Sequence, residues 1–295
     1  MASRPASPSV AADPPAGTPA PAEVMARART ENFPVASRVL GRATRRDLLA
    51  IYGFARLLDE LGDSLPGDRL AALDWLEREL DMAFAGCARH PLLVRLQPTL
   101  RARQLTREPF ARLIEANRVD QRVCRYDTWE QLRGYCALSA DPVGELVLGV
   151  FGLATPRRIA LSNSICTALQ LLEHCQDVAE DLRAGRVYMP AEDLARFDCT
   201  VEQLRAEHAD APARELLAFE VARARALFDA GAPLIDQLRG RPRIAVAAFL
   251  AGGRAGAAAI EAAGYDVLAA TPRAGRVRLL AALARTLRGR GGSHL

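Results

Sequence analysis

Lysine is absent from the 295-residue sequence, so arginine alone supplies the positive side of its formal net charge of +4. This absence excludes enzymes that form a Schiff base on lysine and nucleotide-binding proteins that use a P-loop lysine. Histidine is scarce, and the four that occur form no HExxH or similar metal-binding pattern. Six cysteines show no CxxC spacing, so we predict reduced core residues and no zinc site.

Long hydrophobic runs are also missing. The longest, such as residues 146–155, reach about half of the roughly 20 residues that a membrane-spanning helix requires. The beginning of the chain is rich in Ala, Pro and Ser and has no apolar segment of the kind found in signal peptides. We therefore expect a soluble cytoplasmic protein, with a disordered Ala/Pro-rich tail over residues 1–22 and one helical domain over residues 23–295.

Sheet-forming patterns are a third absence, because β-branched residues almost never alternate with polar ones. Half of the residues are apolar but only 5% are aromatic, and Ala, Leu and Arg dominate, which favours helix. The predicted fold class is all-α. Gly and Pro punctuation places helices near residues 23–30, 35–40, 44–63, 68–86, 91–103, 108–122, 128–153, 156–184, 191–195, 200–230, 232–238, 241–263 and 273–288.

What the sequence does contain is two matched pairs of aspartates. Each pair is spaced i,i+4 within a stretch whose apolar residues recur at helical spacing, so both carboxylates project from one helix face. Each pair ends a longer polar line along its helix. The first line holds Tyr52, Arg56, Asp59 and Asp63, and the second holds Gln170, Glu173, Asp177 and Asp181.

The cost of bringing such carboxylates together indicates what lies between them. Two of them about 5 Å apart repel each other by roughly 3 kcal/mol at an effective dielectric constant near 20. Protonation or a cation must relieve this repulsion. Since Mg²⁺ is usually held by a few carboxylates while substrate phosphates and water complete its octahedron, the pattern predicts a site for Mg²⁺ and a diphosphate. Two solvated surface faces are the alternative that the spacing leaves open, because acidic i,i+4 pairs are common there.

Arginines accompany both pairs. Arg56 lies one turn before Asp59, and Arg183 and Arg186 follow Asp181. Planar guanidinium groups bind phosphate oxygens through parallel hydrogen bonds, so these arginines fit a diphosphate site. His174 lies beside the second pair, and as a lone histidine we interpret it as a packed or surface residue.

The assembled motifs resemble the squalene and phytoene synthase family, the trans-isoprenyl head-to-head synthases. Within that family the ENFPVAS segment and the YC-x-x-SA-x-PVG segment most resemble the hopanoid-associated subgroup that makes hydroxysqualene from presqualene diphosphate. The motifs are ENFPVAS at residues 31–37, AIYGFARLLDELGD at 50–63, YDTWEQLRGYCALSADPVGELVL at 126–148, QLLEHCQDVAEDLRAGRVYMP at 170–190 and AAIEAAGYDVL at 258–268.

The resemblance implies a single-domain isoprenoid-synthase bundle of helices around a deep apolar cavity, with acidic helices at its mouth that hold Mg²⁺ against a prenyl diphosphate. By position, it implies that Asp59, Asp63, Asp177 and Asp181 form the metal-binding and catalytic set. Other residues would contact the substrate: Asn32, Tyr52, Arg56, Gln170 and Arg186 at the diphosphate, Tyr135, Val143 and Gly144 along the prenyl cavity, and Tyr265 near the diphosphate end. Tyr135 and Val143 also fit ordinary core positions, and Arg186 also fits a surface helix cap.

Two positions depart from the family pattern. Glu173 stands where the family usually has Asn, one turn before Asp177, and either adds a charged metal ligand or disturbs the site. Gly62 stands within DELGD where an acidic or small residue is common. The first departure leaves the number of metal ions open, while both outer aspartates of the first motif are kept.

Hydroxysqualene formation from presqualene diphosphate, with diphosphate release, is the function that the resemblance favours. One alternative is head-to-head condensation of farnesyl or geranylgeranyl diphosphate to presqualene diphosphate, squalene or phytoene. A second is a non-catalytic helical assembly protein of the same fold, against which the four aspartates argue. A third, a head-to-tail prenyltransferase or terpene cyclase, shares the metal chemistry but does not share the ENFPVAS and YC-x-x-SA segments.

The partners implied are the prenyl diphosphate substrate and other squalene-pathway enzymes that receive the product, with no nucleic acid. The stretch RAGRVRLLAALARTLRGRGG near the C-terminus is a basic amphipathic helix in pattern. It suits peripheral contact with an anionic membrane at its inner face, and a terminal helix packed on the bundle explains it equally well.

Overall fold

The structure, a computed structural model, describes residues 13–27 and 40–288. Throughout these ranges the chain is helical, and extended pairing is limited to an isolated bridge between Arg125 and Val187. The all-α prediction is confirmed. The α-helices are α1 (Pro21–Arg27), α2 (Arg42–Asp59), α3 (Arg69–Ala85), α4 (Pro91–Arg103), α5 (Glu108–Asp120), α6 (Trp129–Ser139), α7 (Asp141–Val150), α8 (Pro156–Gln176), α9 (Val178–Arg183), α10 (Ala191–Arg196), α11 (Ala211–Gly231), α12 (Gly240–Ala262) and α13 (Arg276–Arg288).

Side-chain caps and prolines set many of these helix starts. Asp68 accepts a hydrogen bond from the Ala71 amide, and Thr128 and Thr155 accept equivalent bonds from residues three positions later. Each cap satisfies an amide that the first helical turn leaves without a partner. Proline opens α4 and α8, where its missing N–H costs nothing.

Three predicted helices differ from the structure. The predicted helix 128–153 is divided at Ala140, because Pro142 follows and cannot continue the hydrogen-bonding pattern of α6. The predicted start at residue 200 is wrong: residues 203–205 form a short 3₁₀ turn, and α11 starts only after Asp210 caps the Ala213 amide. The predicted helix 156–184 is interrupted at Asp177. The predicted helix 35–40 lies almost entirely outside the described residues.

Two hydrophobic cores hold the bundle together. One is built from α2, α3, α4, α5 and α7, with Phe54 and Phe110 in edge-to-face contact at its centre. The other is built mainly from α6, α8, α11 and α12, with Phe228 fully buried. A cleft lies where elements of the two cores face each other, so helices from both contribute to its walls.

Helix α12 is the one described helix that is long and apolar enough to cross a membrane by length and composition. Over its most apolar window, 56% of it is buried within the bundle, where it contacts α8, α11 and α13. Packing of this kind also characterises core helices, so the length of α12 is accounted for by the fold.

Candidate functional site

A cleft of about 370 Å³ brings the two acidic motifs together. Asp59 and Asp63 enter from the end of α2, and Asp177 and Asp181 enter from the junction of α8 and α9. Glu173, one turn earlier on α8, lies in the same wall. Pairs that are far apart in sequence therefore share one space, and the open alternative of two separate surface faces does not describe this geometry.

The first pair is carried by an irregular helix end. After Asp59, α2 continues as a π-helical turn over Glu60–Ser64, a wider winding that often marks functional sites. Gly62 makes room for α5, because a Cβ at this position would lie 2.0 Å from Asn117 Oδ1. Gln121 Nε2 donates to the Gly62 carbonyl at 3.0 Å. The glycine that departs from the family pattern thus lets α5 lock the turn that presents Asp63.

The second pair is carried by a helix break. Asp177 leaves the helical region, with φ −105° and ψ 14°, and separates α8 from α9. Its amide still donates to the Glu173 carbonyl at 2.9 Å, while its own carbonyl accepts from the Asp181 amide at 2.8 Å. These two backbone hydrogen bonds tie Asp177 to the end of α8 and to the start of α9.

In the second motif, burial and neighbouring carboxylates raise the pKa of Glu173 and of Asp177. Glu173 is open to the cleft yet surrounded by protein, so desolvation raises its pKa; His174 opposes the rise, and Asp177 and Asp181 add to it. Desolvation likewise raises the pKa of Asp177, with further contributions from Asp181 and Glu180. The negative charges are held close together at a free-energy cost that a bound cation would offset.

Arg186 connects the two motifs across the cleft. Its guanidinium donates to Asp63 Oδ1 at 2.9 Å, and its backbone amide donates to the Asp181 carbonyl at 2.8 Å. The side chain is 22% exposed, against 51% for Asp63. Among the lining residues it is the sole arginine, so it is the cationic side chain best placed for an anionic ligand in the cleft.

Gln170 and His174 form the floor beside Asp181. Gln170 Nε2 lies 3.4 Å from His174 Nε2, and His174 Nδ1 lies 3.9 Å from Asp181 Oδ2. The imidazole is buried and stacks on Tyr188 with ring centroids 3.8 Å apart. His174 is packed, as the sequence predicts, and it is also part of the cleft wall.

Tyr52 and Arg56 do not line the cleft. Tyr52 is buried in the body of α2, and Arg56 forms an ion pair with Glu60 at 2.7 Å. Glu60 also pairs with Arg27 at 2.8 Å. The structure places both predicted residues one or two turns behind Asp59, so their contact with a diphosphate stays a prediction.

Residues assigned to the prenyl cavity are divided. Tyr135 and Val143 line the cleft. Gly144 lies instead at the contact of α7 with α8, where a Cβ would be 2.6 Å from Cys166 Sγ and closer still to Ser162 Oγ. Glycine is needed there for close helix packing, and a direct contact with substrate stays a prediction.

Two predicted residues are not brought to the cleft by the described structure. Tyr265 follows α12 with a positive φ of 61° and packs partly buried on the second core, outside the lining residues. Asn32 lies outside the described residues. Their assigned roles stay predictions.

Asp120 is a cleft residue that the sequence reasoning missed. It ends α5 and accepts hydrogen bonds from the hydroxyls of Tyr135 at 2.8 Å and Tyr188 at 3.1 Å. Desolvation raises its pKa, while the bond from Tyr135 and the charge of Arg186 lower it, and the net direction is upward. A sequence signal did exist: Asn117 and Asp120 are polar residues one turn apart on an otherwise amphipathic helix, and both line the cleft.

The donor set fits magnesium. The aspartates and Glu173 offer hard carboxylate oxygens, which Mg²⁺ prefers. The raised pKa values of Glu173 and Asp177 reflect burial first and then repulsion from neighbouring carboxylates, and a divalent ion would offset both. Within the described residues, no three His, Cys, Asp or Glu side chains are grouped closely enough to hold an ion unaided. Mg²⁺ commonly takes one or two carboxylates and completes its shell with water and substrate phosphates.

Comparisons with known proteins place similar sequences and structures in one family. The squalene/phytoene synthase family model matches residues 26–282. A hydroxysqualene synthase of Sinorhizobium fredii is 33% identical over 215 residues, 72% of each chain. A presqualene diphosphate synthase of Rhodopseudomonas palustris is 32% identical over 223 residues, 75% of this chain and 80% of the relative. The crystal structure of the squalene synthase HpnC from Alicyclobacillus acidocaldarius gives a TM-score of 0.77 at 47% identity, covering 83% of this chain and 94% of that one.

Proposed function

Because this chain belongs to the squalene/phytoene synthase family and is an enzyme of that family, we propose that it converts presqualene diphosphate and water to hydroxysqualene and diphosphate. The observation that carries the proposal is the meeting of both aspartate pairs with Arg186 in one cleft. The hydroxysqualene synthase relative supports this member of the family's reactions, and the diphosphate chemistry follows from the charges that face the cleft.

Asp59, Asp63, Asp177 and Asp181 would hold Mg²⁺, with Glu173 as an added ligand. The bound ion would neutralise the charge that builds on the departing diphosphate. Arg186 is placed to donate to phosphate oxygens once it exchanges its bond to Asp63. Both effects stabilise the leaving group as the carbon–oxygen bond breaks and its electron pair departs with the diphosphate. No protein nucleophile is required for this step.

Apolar side chains protect the cation that ionisation leaves behind. Leu58, Leu113, Ala116 and Val143 line the cleft on the side of α2, α5 and α7. Their surfaces offer no nucleophile, so the cyclopropylcarbinyl cation can rearrange and open its ring before water adds. Tyr52, Arg56 and Gln170 support the diphosphate end, and Asn32, Gly144 and Tyr265 complete the substrate contacts in this proposal.

The test is direct. Purified protein is incubated with presqualene diphosphate and Mg²⁺, and the released alcohol or hydrocarbon is identified by mass spectrometry. Hydroxysqualene whose oxygen comes from ¹⁸O-labelled water is the expected product, and EDTA should abolish its formation. Failure to consume presqualene diphosphate would refute the proposal.

A second candidate is condensation of two farnesyl diphosphates to presqualene diphosphate, which the relative of that name supports. The same cleft would then have to accept two prenyl diphosphates in succession. Incubation with farnesyl or geranylgeranyl diphosphate, with and without NADPH, separates the candidates, because the hydroxysqualene reaction consumes neither a second prenyl diphosphate nor a reductant.

The enzyme is cytoplasmic in this proposal, touches the inner face of the membrane peripherally and hands its lipid product to other squalene-pathway enzymes. Support comes from α13, where Leu279 is 39% and Leu280 is 66% exposed on a helix of basic pattern. Recovery in a membrane pellet that resists salt washing would contradict a merely peripheral contact.

A further inference from the structure

Asp120 lies in the cleft wall but belongs to neither acidic motif. Its side chain is reached from α6 by the Tyr135 hydroxyl, which donates to Oδ2, and from the segment before α10 by the Tyr188 hydroxyl, which donates to Oδ1. Both carboxylate oxygens thus already accept hydrogen bonds from protein donors. A metal ion would have to compete with those donors, so Asp120 suits a different task from that of the four motif aspartates.

The two tyrosine hydroxyls are oriented by this arrangement. Each uses its one hydrogen on Asp120, so only its lone pairs remain to accept a hydrogen bond from another molecule. Tyr135 is buried, yet it lines the cleft. Its hydroxyl is therefore a fixed acceptor in the cleft wall.

Ser139 adds a second polar atom to the same wall. It lies four residues after Tyr135 on α6, so both side chains share a helix face, and both line the cleft. Its Oγ is buried and has no hydrogen-bond partner within residues 13–27 and 40–288. Buried polar atoms are nearly always satisfied, so an unpartnered hydroxyl one helical turn from Tyr135 in the cleft wall marks a place for a small polar ligand such as water.

Aromatic rings surround this polar spot. Tyr188 stacks on His174 at 3.8 Å and lies 5.6 Å from the ring of Tyr135, with interplanar angles of 15° and 29°. Such ring faces attract a cation without reacting with it. A substrate cation held against them lies close to the Tyr135 hydroxyl.

We propose that Asp120, acting through Tyr135, positions the water that captures the substrate cation and takes up the proton that this water loses. The inference rests on the proposed function, and it assigns to this site the step that decides between alcohol and hydrocarbon. Asp120 is a positioning residue in this scheme, and Tyr135 is the residue that contacts the water.

The step balances without a further reactant. A lone pair of the water oxygen forms the new carbon–oxygen bond to the cationic carbon. The resulting oxonium passes one proton to Tyr135 Oη, whose own proton moves along the 2.8 Å hydrogen bond to Asp120 Oδ2. The product is a neutral alcohol, Tyr135 is regenerated, and Asp120 ends protonated. Desolvation, which raises the pKa of Asp120, makes it a better acceptor than an exposed aspartate.

The experiment compares product ratios in Asp120→Asn and the wild type, both supplied with presqualene diphosphate, Mg²⁺ and ¹⁸O-labelled water. The asparagine carbonyl still accepts a hydrogen bond from Tyr135, so packing is kept while the proton acceptor is lost. We expect the ratio of labelled alcohol to alkene to fall by on the order of 10²-fold, the lower end of the roughly 10²–10⁴-fold that a positioned proton acceptor typically contributes. The alkene forms when the cation loses a proton from a neighbouring carbon to the released diphosphate.

Tyr135→Phe is the second variant, because it removes the bridging hydroxyl and leaves Asp120 intact. It should shift the ratio in the same direction, whereas Tyr188→Phe, which spares the Asp120 bond to Tyr135, should shift it less. Thermal unfolding of each variant checks that the fold is kept.

Each outcome decides between the alternatives. An unchanged ratio in both Asp120→Asn and Tyr135→Phe would overturn the inference, and so would loss of diphosphate release in both, which would assign the pair to ionisation or folding. If the wild type itself releases no diphosphate from presqualene diphosphate, it is the proposed function that fails. If the wild type makes hydroxysqualene and neither variant changes the ratio of alcohol to alkene, only the role of Asp120 and Tyr135 is refuted.

Discussion

Two clusters of carboxylates in the described part of this chain are neutralised in different ways. Asp193 on α10 and Glu220 on α11 are buried, with exposures of 3% and 0%. Arg223, also on α11, binds them at 2.8 and 2.7 Å. In the cleft, the two motifs and Glu173 share Arg186 and the neighbouring His174. The first cluster carries its own counterion within the fold. The second has more negative charge than its protein neighbours balance, which is the arrangement expected of a site for an exogenous cation.

The buried cluster is balanced by one arginine and one proton. Desolvation raises the pKa of Glu220 to about 8; Arg223 opposes the rise, and Asp193 adds to it. At neutral pH Glu220 therefore holds a proton, so Arg223 does not have to balance a charge on this carboxyl group. Arg223 also lies over the rings of Trp129 and Phe219, at 4.7 and 4.6 Å from their centroids. This cluster is a structural element, and its removal should affect stability before activity.

Breaking the buried cluster should have the largest effect. Arg223→Met keeps most of the side-chain volume but leaves Asp193 as a buried charge without its counterion, so we expect about 3–5 kcal/mol of lost stability in urea unfolding. Arg225→Ala, which removes an exposed pair with Glu261, is the matched control and should cost at most about 1 kcal/mol. A cost for Arg223→Met as small as that of the control would show that the two carboxylates do not depend on it.

Breaking the cleft cluster should remove activity and spare the fold. Asp59→Asn and Asp177→Asn each take one carboxylate from the predicted metal set, and we expect kcat to fall on the order of 10²–10³-fold, as when one group that stabilises developing charge is lost. Asp229→Asn, on the exposed face of α11, should leave kcat unchanged. Diphosphate release at wild-type rates in both cleft variants would refute the assigned role.

A substitution in the π-helical turn tests the packing of the cleft without changing any charge. Gly62→Ala places a Cβ against Asn117 Oδ1, and we expect a cost of about 1–3 kcal/mol together with displacement of Asp63. Gly134→Ala, in the interior of α6 with nothing within 4 Å of the new atom, should instead stabilise by about 0.5–1 kcal/mol. Equal unfolding midpoints for the two variants would contradict the close approach of α5.

Loss of the Glu220 proton should change the free energy of unfolding least among these predictions. Burial raises the pKa of Glu220 from its ordinary value of 4.5 to about 8 in the folded protein, so its stabilisation is complete below pH 4.5 and is lost as pH rises through about 8. Between pH 7 and 9 the wild type should lose about 1 kcal/mol more than Glu220→Gln. Urea unfolding at both pH values measures this difference, and Glu215→Gln, exposed on the same helix, should behave as wild type.

Sequence patterns were sufficient for what depends on local periodicity. The helical class followed from composition and spacing, and the family resemblance is confirmed by the match over residues 26–282. The aspartate pairs were recognisable because i,i+4 spacing is a property of one helix, and both pairs do line one cleft. The first departure from prediction occurs where the helices stop being regular, at Ala140 and Asp177, since single prolines and breaks depend on the surrounding packing.

Residues that act through tertiary contact were harder to identify. Asp120 lies on a helix with no acidic repeat, and only the approach of α6 and of the segment before α10 gives it two tyrosine partners. Gly144 illustrates a different difficulty: its motif suggested the cavity, while in the structure a Cβ at this position would meet Ser162 and Cys166 of α8, so its contact with substrate stays a prediction. Helix periodicity gives the face on which a residue lies, but it does not give the neighbour that covers that face.

The bridge between Arg186 and Asp63 has a consequence for the order of ligand binding. Arg186 binds the Asp63 carboxylate, which is then less available to a metal ion. Asp63 in turn binds the guanidinium of Arg186, which is then less available to phosphate. An ion or a pyrophosphate that binds alone must break this hydrogen bond, and it leaves one of the two side chains without a partner. Affinities for the ion and for pyrophosphate should therefore be thermodynamically coupled, each tightening the other by the same factor, and a titration with either one alone understates the strength of the pair.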